Sequence, residues 1–282
     1  MPRILPLLTV AGLSAGLTLS PTTHADLLVY EGWDYDAGSL SAGTGDNLNG
    51  GGGFDGAWSF STGSNTQINA GSMTHAGVTT TGNQLQLRGQ GDRDLEQTFG
   101  GPTQQDLWVS TFLLTNNNSR QGNLELDLAG TQTVVINNNA GNSANLTIGD
   151  SSEALTTGGS PIVPDTFSHF YLLKLEFGVQ VDDGSGGLIS GTRGFVWYDP
   201  DLSNGEAGLG AANATVEEDA VISFDGVTVQ HNSPSSFISR NDEIRIATTF
   251  QDAISETTVV PEPASLALLA AGGLCLVGRR RR

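Results

Sequence analysis

Short apolar runs, each broken within a few residues, recur along most of this chain. Leu27 to Glu31 is one, and Gln84 to Arg88 alternates, with Leu85 and Leu87 on one face. Leu107 to Leu114 is a continuous run of the fully buried type, and Leu124 to Leu128 alternates cleanly. Thr133 to Ile136 and Asn145 to Ile148 follow. Phe167 to Gln180 is the longest, setting Phe170, Leu172, Lys174 and Glu176 against Tyr171, Leu173, Leu175 and Phe177. Thr192 to Tyr198, Val221 to Val229 and Glu243 to Phe250 complete the set. Period-two alternation places successive side chains on opposite faces of a strand. Gly, Asn, Asp and Pro clusters between the runs read as turns. About a dozen strands with long loops predict an all-β, antiparallel sandwich. Leu202 to Ala214 has room for one short helical turn.

Composition agrees with strands and turns. Of 282 residues, 38 are Gly, and charged residues make up 15%. Lys occurs once, at Lys174. Good helix formers are scarce, which argues against a helical bundle. Between Asp26 and Val260 stand seven basic and 29 acidic residues, a net −22. Such a surface repels nucleic-acid phosphates and anionic lipid head groups, so no nucleic-acid partner is expected. The single Cys275 lies in the C-terminal apolar stretch, leaving the middle without a disulfide or a Cys metal site.

The two ends have a different character. Arg3, an apolar run from Ile4 to Leu19, and small residues up to Ala25 form a secretory signal, with cleavage expected between Ala25 and Asp26. At the other end stand Pro261-Glu262-Pro263, an apolar stretch from Ala264 to Gly278, and Arg279, Arg280, Arg281 and Arg282. The prolines keep the backbone extended. The apolar stretch is short of the roughly 20 residues of a full span. A transient stop in the membrane, with the arginines on the cytoplasmic side, is the reading. Three segments follow: a signal peptide over 1–25, a β-sandwich ectodomain over 26–258, and a sorting signal with a hydrophobic helix over 259–282.

That tail resembles the PEP-CTERM sorting signal. The resemblance implies recognition by an exosortase-type processing enzyme, cutting near Pro-Glu-Pro, and delivery to the cell surface or extracellular matrix of a Gram-negative-type bacterium. The middle resembles PEP-CTERM proteins with a concanavalin A-like, laminin-G-like jelly roll. The residues are Tyr30-Glu31-Gly32-Trp33-Asp34-Tyr35, Gly38-Ser39-Leu40, the Gly-rich run ending Gly56-Ala57-Trp58, Trp197-Tyr198-Asp199-Pro200-Asp201-Leu202, and Asp242-Glu243-Ile244-Arg245-Ile246-Ala247-Thr248. It implies a fold that hosts binding modules, hydrolases and structural domains alike.

Three chemistries were weighed. Glu125-Leu126-Asp127 begins the Glu-x-Asp-x-x-Glu spacing of glycoside hydrolases with related folds, but position 130 is Gly. A retaining glycosidase needs two carboxyl groups about 5 Å apart, so these residues read as acids on an edge or outward strand face. No enzyme is expected. Asp182 and Asp183, with Asp199 and Asp201, offer loop oxygens for a structural Ca²⁺, although neither loop matches an EF-hand. Trp33 and Trp58 stand in loop-rich stretches as sugar-stacking candidates. The expectation is a non-catalytic structural or polysaccharide-binding surface protein. The alternatives are a polysaccharide-active hydrolase and a calcium-dependent adhesin.

Overall fold

The computed structural model describes residues 27–40, 48–61, 66–87, 89–115, 120–129, 131–140, 142–231 and 238–255. The segment read as a signal peptide, with the cut expected between Ala25 and Asp26, and the tail with Pro261, Glu262, Pro263 and the four arginines lie outside them. Among the described residues no helix is long and apolar enough to cross a membrane.

Eighteen strands are described. The first six are β1 (Leu27–Glu31), β2 (Gly38–Ser39), β3 (Phe54–Ser61), β4 (Gln67–Ala70), β5 (Asn83–Leu87) and β6 (Gln90–Gly100). Next come β7 (Leu107–Thr115), β8 (Arg120–Leu128), β9 (Thr131–Ala140), β10 (Asn145–Ile148), β11 (Ser151–Ala154), β12 (Thr156–Thr157) and β13 (Ser160–Pro161). The last are β14 (His169–Asp182), β15 (Leu188–Tyr198), β16 (Ala214–Glu218), β17 (Ser223–His231) and β18 (Ser239–Ala247). A short α1 (Phe250–Ile254) follows, and a 3₁₀ turn at Glu206–Gly208 falls in the segment expected to hold one.

Nearly all the strands join two antiparallel sheets, giving a jelly-roll-type sandwich. The nine-stranded sheet runs β16-β15-β14-β7-β18-β5-β4-β2, with β1 also paired to β18. The seven-stranded sheet runs β11-β10-β9-β8-β17-β6-β3. The main core fills the space between them. Leu124 and Leu126 of β8, Val227 and Val229 of β17, Val109 of β7, Tyr171 and Leu173 of β14, and Ile244 and Ile246 of β18 all belong to it.

The alternation read in β14 explains a second core. Tyr171, Leu173, Leu175 and Phe177 face the sandwich interior. Phe170 and Leu172 face the opposite way, where they join Trp108, Phe112 and Trp197 under α1. The centre of the nine-stranded sheet is therefore buried on both faces, which is why Leu107 to Leu114 carries no polar alternation. Phe250, Ala253 and Ile254 of α1 close this outer layer. Thr249 caps α1, its side chain accepting the Asp252 N–H. Thr249→Ala should cost about 1 kcal/mol. Faster hydrogen exchange confined to residues 250–254 would show that the loss is local.

Part of the Gly-rich stretch runs against β1. Gly52 exchanges backbone hydrogen bonds with Tyr30 at 3.0 and 2.9 Å. At Gly53, φ is +80°, and a Cβ would overlap the Leu28 carbonyl oxygen. Glycine is needed because two backbones run against each other. The stretch leads directly into β3, so Phe54 and Trp58 are strand residues rather than loop residues.

Candidate functional site

The outer face of the seven-stranded sheet carries the chemistry. In β8, Leu124 and Leu126 point into the core, so Asn123, Glu125 and Asp127 alternate onto the other face. In β17 the same rule turns Gly226, Thr228 and Gln230 to that face, and in β6 Gln90, Asp92 and Asp94. Register aligns them in rows. Thr228 pairs with Glu125 on one side and Asp92 on the other. Gly226 stands between Asp127 and Asp94, and Gln230 between Asn123 and Gln90. A cavity of about 490 Å³ opens over these rows, lined by Gln90, Asp92, Asp94, Glu125, Asp127 and Gln230 among others.

The floor is held by specific contacts. Thr228 Oγ1 donates to Asp127 Oδ2 at 3.0 Å. A Cβ on Gly226 would sit 2.7 Å from Asp127 Oδ1, so the bare glycine leaves room for Asp127 to lean toward β6. Asn123 Nδ2 donates to Glu125 Oε1 at 3.1 Å. Asn123 is only 5% exposed, and its Oδ1 accepts no hydrogen bond. Burial, then the nearby charges of Asp127 and Asp94, push the Asp92 carboxyl above its usual range. Arg93 also lines the cavity, but its guanidinium is bonded to other partners. Its Nη1 donates to Glu31 Oε2 (3.2 Å) and the Gly50 carbonyl (2.8 Å), and its Nε to the Gly56 carbonyl (2.8 Å).

Glu125 and Asp127 are thus on an outward face, as expected, but not at an edge. β8 lies between β9 and β17 inside the sheet. Sequence reasoning missed the β6 half of the site altogether. Gln90, Asp92 and Asp94 do alternate. Their partners on the core side begin with Gly91 and Arg93 rather than a hydrophobic row, so the strand gave no apolar period.

The tryptophan reading needs correction. Trp33 is 0% exposed and Trp58 is 1%. Their rings lie 4.8 Å apart in the core. Trp33 Nε1 donates to Asn241 Oδ1 (3.1 Å) and Trp58 Nε1 to Glu31 Oε2 (2.8 Å). Neither ring has a face for a sugar.

The calcium candidates fall at opposite ends of one hairpin. Asp182 pairs with Leu188 near the tip, while Asp199 follows the Tyr171–Tyr198 pair at the base. Asp183 Oδ1 accepts the N–H groups of Ser185 and Gly187, both at 2.9 Å. Asp201 Oδ1 accepts the Ser203 N–H at 2.9 Å. Asp199 accepts the Phe170 N–H (2.8 Å) and bonds His169 Nδ1 (2.7 Å). These oxygens close their own loops, and the structure does not bring the four together. Among the described residues, no three His, Cys, Asp or Glu side chains are grouped to hold a metal ion.

What the described sheets cannot supply comes from the tail. Residues 259–282 match the PEP-CTERM protein-sorting motif. The motif indicates export to the cell surface, and it is associated with exosortase processing. No curated protein matches the chain. Among solved structures, an alginate lyase mutant in complex with alginate trisaccharide is similar at 10% identity (78% of this chain, 97% of that one, TM-score 0.41). A β-glucanase from Bacillus licheniformis is similar at 12% identity (71% and 95%, TM-score 0.39). A Trypanosoma rangeli sialidase is similar at 11% identity (81% and 32%, TM-score 0.40), so the chain spans about a third of that protein. None of these likenesses extends to a ligand or a reaction.

Proposed function

We propose that this PEP-CTERM-bearing chain is an exported, non-catalytic surface module, and that the groove over β6, β17 and β8 binds an extracellular glycan. The outer-face groove carries the reading. Carboxylates and amides on rigid strands form a polar floor about 490 Å³ in volume, and such groups hydrogen-bond the hydroxyls of a sugar chain. Processing by an exosortase-type enzyme and residence in an extracellular matrix belong to the same reading. Gln90→Ala combined with Gln230→Ala should weaken glycan binding about tenfold while leaving the melting temperature within a few degrees. Affinity electrophoresis through gels of embedded polysaccharide measures the first effect. Equal retardation of wild type and variant on every polymer would remove the groove from the reading.

Asp92 supports a second reading, hydrolysis. A carboxyl whose pKa is pushed up by burial and by its neighbour Asp127 is the kind of group that serves as a general acid. New reducing ends from a bound polysaccharide, lost in Asp92→Asn, would replace the non-catalytic proposal.

A further inference from the structure

Four carboxyl groups line the groove, with Gln90 and Gln230 supplying its neutral amides. Asp92, Asp94, Glu125 and Asp127 present carboxylates, which when ionised only accept. At the same face Asn123 is nine-tenths buried, its amide nitrogen already donates to Glu125, and its Oδ1 has no partner. Thr228 gives its hydroxyl proton to Asp127. Arg93 also lines the groove, but its guanidinium is engaged by Glu31, Gly50 and Gly56. Four acids against one engaged guanidinium favour a ligand that brings donors and positive charge.

The spacing of the acids says what kind. Glu125 and Asp127 are two residues apart on β8, so their Cα atoms are about 7 Å apart along the strand. Asp92 and Asp94 repeat that spacing on β6, with β17 lying between the two strands. No three acids among the described residues are grouped for one metal ion. Charges spread along a groove match a polymer whose cations repeat, not a single cation.

Building on the glycan-binding proposal, we infer that the ligand of this groove is an amino-sugar polysaccharide with free, protonated amines. An ammonium group offers three donors and no acceptor, the complement of this floor. It also relieves the repulsion among Asp92, Asp94 and Asp127. An N-acetylated sugar brings no charge. A uronic-acid polymer brings the wrong charge and would be repelled.

Titration calorimetry on the full-length protein at low salt tests this with glucosamine hexamer, N-acetylglucosamine hexamer, oligogalacturonate and hexalysine. The glucosamine hexamer should bind at least about tenfold more tightly than its acetylated counterpart, and oligogalacturonate should not bind. Asp127→Asn and Asp92→Asn should each weaken glucosamine binding about tenfold, because each removes a charge-assisted bond. Glu206→Gln, an exposed acid near the other sheet, should change nothing. Equal affinity for both hexamers would overturn the amino-sugar inference and leave glycan binding standing. Binding of no glycan at all would sink both. Hexalysine bound as tightly as glucosamine hexamer, or equal weakening by Glu206→Gln, would reduce the groove to a nonspecific cation trap and overturn the inference.

Discussion

Arg93→Ala is expected to cost about 3–5 kcal/mol, the range for stripping one partner from a buried ion pair. At roughly 2–4 °C per kcal/mol for a domain of this size, the midpoint should fall by about 10 °C. The reason lies in what Glu31 does. It is 1% exposed, and its carboxylate accepts from the Trp33 N–H (2.9 Å), Trp58 Nε1 (2.8 Å), the Tyr35 hydroxyl (3.0 Å) and Arg93 Nη1 (3.2 Å). That node ties β1, the Gly-rich stretch, β3 and β6 together. Without Arg93, a carboxylate would remain buried with no counter-charge. Burial already pushes its pKa up against the pull of these four partners. Glu31→Gln in the Arg93→Met background should recover part of the loss, because a neutral pair needs less solvation. Thermal melts followed by near-ultraviolet circular dichroism report both. A loss below about 1 kcal/mol would mean that the two tryptophans and Tyr35 hold Glu31 without help.

The second large effect is a fall in stability as pH rises from about 5 to about 9. Asp242, Glu243 and Arg245 are each 0% exposed. Glu243 Oε2 accepts from Arg245 Nη2 at 2.7 Å. Two acids and one base leave the cluster one proton short of neutrality. Asp242 supplies that need, since burial and then Glu243 raise its pKa to about 9, although the N–H groups of Met73 and Glu243 favour its charged form. The folded chain therefore holds a proton that an unfolded chain, with a carboxyl near 3.8, releases. The contribution is complete below that value and is lost as pH climbs toward about 9. His169 acts in the same direction. Burial lowers its pKa, but hydrogen bonds to Asp199 and Asp165, with the charges of these two acids, overcome this and raise it above the usual 6.5. Its contribution is full below pH 6.5 and lost as pH rises through the folded value. Asp183 and Asp201 shift downward, and they titrate below this window. Asp242→Asn should flatten the pH slope, standing below wild type at pH 5 and level with it or above at pH 9. A wild-type midpoint independent of pH from 5 to 9 would show that the cluster is not protonated as described.

Much of the sandwich was legible because its strands follow elementary rules. β1 and β10 occupy the residues read from the pattern, and both faces of β14 were separated correctly from alternation alone. β6 and β16 were missed because polar side chains or glycine hold positions that pattern reading reserves for apolar ones. β6 hides behind Gly91 and Arg93. β16 shows only Ala214 and Val216 ahead of Glu217 and Glu218. Trp33 and Trp58 looked like surface aromatics because glycines surround them. Those glycines allow close backbone approach, and it is this approach that buries the rings. The sorting tail was readable without any structure, since its signal is linear.

The position of β18 sets an order of events. It sits between β7 and the β5–β1 flank at the centre of the nine-stranded sheet, and Leu27 of β1 pairs with Ala247 near its end. The fold closes only when residues as far apart in the chain as Leu27 and Ala247 meet. Such distant closure is slow, because chain entropy is lost before the contact repays it. A chain emerging from the ribosome lacks its central strand until residue 247 has been made, barely a dozen residues before the sorting motif begins. It therefore stays unfolded through most of its synthesis, the state in which a polypeptide can be threaded through a narrow membrane channel.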